Sequence, residues 1–469
     1  MRQSIVIVGA GFSGSVLAAT LLRSPPAIAT DIVLIERGPR IARGVAYAPH
    51  EVPYVLNVPA GRLSVDPKDP LQFLHFVRQV YPEADAEDFV PRALYGDYLQ
   101  EVLDQAERAA PRHVTLRRVF GEVVAIDRAP LRAPLLNATV KPLIATLADR
   151  SSIAADRVVL ALGNPASPVH AWARGLSNHP AYVHDPWHMP KSLRAQHSVL
   201  IVGSGLTMVD VALALSLKGG EVPRVRTISR HGLLPLGQTI FRPTAVQGSG
   251  EMLLSNARSI RRVFAATRAL AREVERMGGD WREVVTFVRH LAPELWQALP
   301  PAERSRFLRH VQSYWDIHRH RLPPRMAQRI DHMRRSGRLH IHAGRIRQLV
   351  PEGEELRVVW RRRGRSEDES FAADAVINAT GPDYAIKRSS DVLIRSLRAA
   401  GLVSADDLNL GLRTGPNGAC LSADGVPSQE LFYLGPMLRA DHWEATAAPE
   451  LRAHAERLGR HLAGLGQVR

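Results

Sequence analysis

Residues 5–22 read IVIVGAGFSGSVLAATLL, and this stretch decides the fold. The apolar run Ile5–Val8 shows no polar alternation, the mark of a strand buried on both faces. Gly9, Gly11 and Gly14, with Phe12 and Ser13 between them, form a tight turn, and Ser15–Arg23 has helical character. A second apolar run, Asp31–Ile35, predicts another strand that ends at Glu36 and Arg37. Strand, glycine turn, helix and strand with a terminal acid make a dinucleotide-binding unit. Gly9 permits the turn, Gly11 lets backbone approach a pyrophosphate, and Gly14 lets helix pack on strand. The helix N-terminus faces the phosphates, and Glu36 stands where a ribose hydroxyl needs an acceptor. The same stretch is long and apolar enough to resemble a membrane span or leader peptide, but its glycines and the second strand argue against both. A cytoplasmic chain without membrane association is expected.

The pattern returns. Val199–Val202 is followed by Gly203, Gly205, Leu206 and Thr207, with Met208 in place of the third glycine. An apolar helix at Val209–Leu217 and a strand at Arg224–Ile228 come next. Each copy closes with a strand running into a small-residue turn, RVVLALGN at 157–164 (containing Gly163) and DAVINATGP at 374–382. The second copy is longer, and its excess is a helical segment at about 250–335 closed by Pro323 and Pro324. The expected architecture is α/β: two Rossmann-like dinucleotide-binding domains, with a helical insertion in the second. Residues 1–188 and 376–469 form the first domain, and 189–375 the second.

The copies differ where nucleotide choice is made. Glu36 and Arg230 occupy the same offset from the first glycine of their motifs, and Ser229 stands beside Arg230. An acid accepts from a free 2′-hydroxyl, whereas an arginine with a serine neighbour suits a 2′-phosphate. The first site is expected to take FAD and the second NADPH, with NADH left open if Arg230 falls there by chance.

Composition narrows the classes further. The formal charge is +15, yet only five of the 61 basic residues are lysine, which points to a coding bias toward arginine. The densest runs, Arg334–Arg338 and Arg361–Arg365, lack the interleaved aromatics that base stacking needs, so no nucleic-acid partner is expected. Cys420 is the only cysteine, which excludes a disulfide, a CxxC pair and a cysteine-rich metal site. His318 and His320 lack a partner at metal-site spacing, so no metal is expected.

Beyond the paired motifs, six segments carry a closer likeness: GVAYA at 44–48, LNVPAGRLS at 56–64, FVPRALYGDYL at 89–99, YVHDPW at 182–187, YWDIHRHRLPP at 314–324 and WEATAAPELR at 443–452. Over nearly its full length the chain resembles a bacterial FAD/NAD(P)-binding protein family within the two-dinucleotide-binding-domain flavoproteins. The likeness extends to the flavin-containing, N-hydroxylating and Baeyer–Villiger monooxygenases. It implies a flavin between the first repeat and a C-terminal segment, with the loop from Gly44 to Ser64 lining the isoalloxazine. Asn57 is then a polar group at the flavin edge, or else a loop asparagine holding a turn. Val124, in the β-rich stretch that follows, joins the cofactor-binding positions. A Gly-Asp pair usual in the C-terminal strand reads Gly435-Pro436 here, in LFYLGPML at 431–438, so the ribityl contact must come from elsewhere.

The monooxygenase relatives form a C4a-hydroperoxyflavin and pass one oxygen atom to substrate. Their interdomain fingerprint is matched in part by His184, Asp185 and Trp187, as a hinge or nicotinamide-side element or as packing. The segment before a helix at Pro449–Leu462 offers His442 and Glu444 as proton-handling groups, with a helix cap as the other reading of Glu444. The resemblance implies an NADPH-dependent monooxygenase that uses molecular oxygen on a nitrogen or sulfur of a small molecule, an amine among the options. A reductase relaying hydride through FAD, and a slow redox-sensing or partner-binding flavoprotein, stay open. Oligomeric state is not legible.

Overall fold

Three apolar runs without alternation, Ile5–Val8, Ile32–Ile35 and Val158–Leu160, require cover on both faces, and the fold supplies it. In a computed structural model, residues 2–52, 54–129, 142–190, 193, 197–216, 223–239 and 249–465 are described. The chain forms two compact units, Met1–Pro165 with Tyr384–Arg469, and Ala166–Asp383.

The first unit is built on a six-stranded sheet in the order Ala419–Leu421, Pro427–Tyr433, Arg157–Leu160, Gln3–Val8, Thr30–Glu36, Val114–Phe120. All neighbours are parallel except the first pair. Ile5 lies opposite Ile32, and Val6 opposite Val158. Ile5, Ile7, Ile32 and Leu34 have no exposed surface, and burying each such side chain stabilises the fold by roughly 1.5–3 kcal/mol. The helix Phe12–Arg23 packs against the helices Arg92–Arg108 and Ala448–Leu462. A Cβ on Gly459 would stand 2.7 Å from Thr20 Cγ2, so glycine allows the last two turns of the C-terminal helix to approach. A three-stranded antiparallel sheet, Val123–Arg128, Leu143–Leu147 and Ser152–Ala155, completes the unit.

The second unit repeats the pattern with a seven-stranded sheet. Tyr182–Val183, Ala375–Asn378, Ser198–Val202, Arg224–Ser229 and the start of Leu339–Glu352 are parallel neighbours. The far half of Leu339–Glu352 folds back into an antiparallel arm with Glu355–Arg362 and Asp368–Ala373. Tyr182 pairs with Val376, which puts residues 166–188 in the second unit. The chain therefore crosses after Pro165 rather than after 188. It returns after Asp383 rather than 375, because Ala375–Asn378 is an interior strand of this sheet.

The expected helical segment consists of six helices: Ser249–Ser255, Ile260–Arg276, Trp281–Ala298, Pro301–His310, Gln312–Arg319 and Pro324–Arg335. Pro323 and Pro324 start the last of these instead of closing the segment, since proline has no N–H to lose in a first turn. The apolar helix expected at Val209–Leu217 spans Leu206–Ser216, and Leu217 lies outside the described residues. The strand read at Leu431–Leu438 ends at Tyr433, and Pro436–Ala440 is a 3-10 turn. Arg361 and Arg362 of the dense basic run pair across the hairpin with Asp368 at 2.7 Å and Glu369 at 3.2 Å. Among the described residues no helix is long and apolar enough to cross a membrane.

The glycines separate into two kinds. Gly9 and Gly203 have φ of +101° and +112°, and a Cβ on either would lie 2.3 Å from a carbonyl oxygen, of Ala161 or Ala379. A Cβ on Gly14 would lie 1.9 Å from Gly9 O. Around Gly205, by contrast, nothing lies within 4 Å of that position. Gly14→Ala is therefore expected to lower unfolding free energy by about 3 kcal/mol or to prevent folding. Gly205→Ala should stay within about 1 kcal/mol of the parent; chemical denaturation of the two variants checks the contrast.

Candidate functional site

In the first unit the turn is wired to its own strand ends. Gly9 N donates to Ile35 O at 2.8 Å, and Ala161 N donates to Val8 O at 2.7 Å. The Glu36 carboxylate accepts from Ala10 N through Oε2 at 2.8 Å and from Gly38 N through Oε1 at 2.9 Å. It thus grips the turn on one side and the following loop on the other, and each oxygen keeps lone-pair capacity for a further donor. Gly11 is the N-cap of Phe12–Arg23, with no side-chain cap and no acid in the first turn. That end carries the helix's positive pole uncompensated. Gly44, at φ +53°, brings the next loop against Gly11, where a Cβ would meet Gly44 Cα at 3.5 Å. Ser13 is buried, and the Phe12 ring lies 6.3 Å from Tyr95 and 6.4 Å from Tyr47, joined to an aromatic cluster. Arg37 is exposed, with a long 4.0 Å pairing to Glu122. Val124 falls where the register slips between Val123 and Ala125, a bulge that re-aims the strand.

The loop from Gly44 to Ser64 is braced at both ends. Leu56 N donates to Val90 O, Tyr95 hydroxyl to Leu63 O, and Arg452 Nη1 to Ser64 O at 2.5 Å. Asn57 lies half-buried between these braces. Gly163 has φ +70° with open space on its Cβ side. Next to it, Asn164 Oδ1 accepts from the Tyr384 hydroxyl at 3.0 Å. The Arg439 guanidinium stands over the Tyr384 ring at 4.7 Å and over the Trp443 ring at 4.3 Å. Asn164, Tyr384 and Arg439 were not singled out from sequence. Asn164 directly follows a glycine that was, but Tyr384 and Arg439 meet only through tertiary structure.

Of the C-terminal candidates, Glu444 is buried and His442 half-buried. Glu444 is 3% exposed. It is not the cap of Ala448–Leu462: Ala447 is the N-cap, without a side-chain bond. His442 lies 4.7 Å from His454, ring to ring. Burial holds both imidazoles below their ordinary range, His454 down to about 3, with His442 and Arg457 adding to the effect on His454. Gly435 is extended and Pro436 is buried at the head of its turn, where Met437 N donates to Tyr433 hydroxyl at 3.1 Å. Cys420 has no exposed surface, and burial pushes its thiol pKa far up.

In the second unit the turn has the same wiring, Gly203 N donating to Ile228 O at 2.9 Å. Leu206 and Thr207 open the helix, and Met208 is fully buried where the first copy has Gly14. Ser229 Oγ accepts from Gly232 N at 3.0 Å and lies 2.8 Å from Ser204 Oγ, so it shapes the loop. Arg230 is exposed at the strand end, beside His231. His184 Nδ1 lies 3.3 Å from the Tyr182 hydroxyl, and Asp185 accepts from Trp187 N, capping the short turn Pro186–His188. His318 Nδ1 lies 2.7 Å from Tyr314 O. Among the described residues no three His, Cys, Asp or Glu side chains converge to hold a metal ion.

Residues 6–165 match the model of an FAD-NAD(P)-binding family. No curated protein is matched by the sequence. Among solved structures, the reduced form of ornithine hydroxylase from Pseudomonas aeruginosa is similar at 14% identity, with 99% of each chain covered and a TM-score of 0.64. The L-lysine 6-monooxygenase of Pseudomonas syringae is similar at 17% identity, with 98% of each covered and a TM-score of 0.62. The bacillithiol disulfide reductase of Staphylococcus aureus is similar at 12% identity, with 99% of each covered and a TM-score of 0.55. The chain has the two-dinucleotide-domain fold that oxygenases and disulfide reductases share.

The half-buried histidine pair sets an acid limit on stability. His454 stays neutral in the native state down to about pH 3, whereas the unfolded chain takes up a proton below about 6.5. Stability therefore falls as pH drops through this window. His454→Phe is expected to lose about 2 kcal/mol less than the parent between pH 6.5 and 5, measured by denaturant titration at each pH.

Proposed function

We propose that the chain is an NADPH-dependent FAD monooxygenase that hydroxylates the amine nitrogen of a small molecule. The observation that carries this reading is the charge reversal at matched strand ends, Glu36 in the first unit and Arg230 in the second. The residues fit the two cofactors. Gly11 and Gly205 leave room for a close backbone approach, while Gly9, Gly14 and Gly203 are enclosed by protein backbone. Gly9, Gly11, Phe12, Ser13, Gly14 and Glu36, with Arg37, Gly44, Asn57, Val124, Gly163, Gly435 and Pro436 around them, would hold FAD. Gly203, Gly205, Leu206, Thr207, Ser229 and Arg230 would hold NADPH. When bound, FAD accepts hydride from NADPH and supplies the reducing equivalents with which one atom of molecular oxygen enters the substrate.

The chain's own residues shape that chemistry. The Glu36 carboxylate holds the turn and would accept from the adenosine ribose of bound FAD. The uncapped N-terminus of Phe12–Arg23 would hold the pyrophosphate. Arg439, fixed between Tyr384 and Trp443, supplies a positive charge beside Gly435-Pro436 in place of the missing acid. His442, kept neutral by burial, accepts or relays a proton near the head of the C-terminal helix, and Glu444 is the second proton-handling candidate.

The oxygenase branch is favoured over the disulfide reductase branch by Cys420. Thiol–disulfide exchange needs an accessible thiolate, and the single thiol here is enclosed and protonated. The ornithine and lysine enzymes of the same fold act on amines, by their names, which directs the substrate search. Purified protein with FAD should consume NADPH and oxygen and form hydroxylamine from one member of an amine and amino-acid panel, with one atom of labelled O2 in the product. Arg230→Glu should slow NADPH-driven FAD reduction at least tenfold in an anaerobic stopped flow, and Cys420→Ala should retain turnover within twofold. Product formed equally well without oxygen would sink the oxygenase reading.

A further inference from the structure

The strand-end motif shows one cation for the nucleotide, Arg230, but the second unit gathers more around it. Strands Arg224–Ser229 and Leu339–Glu352 run parallel with Ser229 opposite Ala343. Beyond Ser229 the chain turns back sharply at Gly232, with φ +63°, and a Cβ there would lie 3.0 Å from Ala343 N. Arg363, just past the hairpin strand Glu355–Arg362, donates its backbone N–H to Ala343 O at 2.9 Å. Two segments distant from each other in sequence thus converge on one alanine.

Their side chains converge as well. Arg363 Nη1 lies 2.9 Å from His231 Nδ1. A guanidinium can only donate, so Nδ1 accepts, and the ring proton of neutral His231 resides on Nε2 as a further donor. Burial disfavours protonation of His231, and Arg363, Arg230 and Arg345 lie close enough to add to that effect. Arg345 also stands directly opposite Arg361 across the hairpin, a like-charge pair that weakens a sheet. Arg361 and Arg362 have their own carboxylates, Asp368 and Glu369, but neither Arg230 nor Arg345 has a carboxylate partner among the described residues. The result is a knot of positive charge and aimed donors at the end of one strand. A compact dianion satisfies it.

We propose that Arg345, Arg363 and the Nε2–H of His231 join Arg230 in one pocket for the 2′-phosphate of the nucleotide, and that Arg363 is a specificity-determining residue delivered by the hairpin. This rests on the reading of the second unit as the NADPH-binding one. The site selects a phosphomonoester on the adenosine ribose over a free hydroxyl there, because four donors without a nearby acid would otherwise face one another.

Calorimetric titration of the full-length, FAD-loaded protein with adenosine 2′,5′-bisphosphate and with 5′-AMP separates the possibilities. The parent protein should bind the bisphosphate at least tenfold more tightly than 5′-AMP. Arg363→Gln should weaken the bisphosphate about 10- to 100-fold and change 5′-AMP less than twofold, and Arg363→Lys should recover part of the loss. Arg345→Gln should shift the same ratio in the same direction. Unaltered bisphosphate binding by Arg363→Gln, or equal loss of both nucleotides, overturns the assignment of Arg363. No preference for the bisphosphate in the parent protein overturns the NADPH reading itself.

Discussion

The structure depends on a close contact made twice: a glycine α-carbon pressed against the carbonyl of the neighbouring strand. At Gly9 the carbonyl belongs to Ala161, and at Gly203 to Ala379. Each contact lets an interior strand of the sheet turn directly into its helix, and each ties the turn to the end of a neighbouring parallel strand. The carboxyl ends of the parallel strands are thereby drawn together at a topological switch point, where open α/β sheets bind ligands. Every candidate in the first unit lies on segments that leave or approach this edge: Glu36 ends one strand, Gly163 follows another, and Gly435 follows a third.

Given that shared frame, the differences between the copies become informative. Gly14 is enclosed by Gly9 O, so the first helix lies tight on its strand. Met208 fills the equivalent place in the second copy and belongs to its apolar core, which shows that close helix–strand packing is optional where a larger side chain is buried instead. The strand-end charge is a different kind of change. It leaves the backbone pattern intact, since Ser229 ends and Arg230 follows a strand paired like Thr30–Glu36, and alters only what the turn presents to a ribose.

Much of this was legible because it is local. Strand, turn and helix are decided by neighbours a few residues apart, and the offset from Gly9 to Glu36 is counted along one chain segment. What was not legible is tertiary. Arg439 meets Tyr384 from a distant segment of the chain, and Arg363 reaches His231 through a hairpin arm that no turn motif announces. Glu444 stands just before a helix in the sequence, and only the structure shows that it is buried and is not that helix's cap. Pro323 and Pro324 were misjudged for a related reason: a proline pair breaks a helix or begins one, and only the flanking chain decides which.

Because fold does not choose chemistry here, the fate of the electrons has to be argued from side chains. The same architecture serves an ornithine hydroxylase and a bacillithiol disulfide reductase at comparable coverage. The two chemistries make opposite demands on the protein. A disulfide reductase needs sulfur that substrate can reach, in an environment that favours thiolate; an oxygenase needs enclosure that keeps water from a reduced cofactor and a proton inventory under control. Cys420 is fully buried with its thiol held protonated, while neutral imidazoles, an enclosed carboxylic side chain and a guanidinium fixed between aromatic rings gather around the C-terminal turn. Burial that disables sulfur chemistry and burial that restrains protons are the same physical property applied to different residues, and the proposed oxygenase reading rests on both.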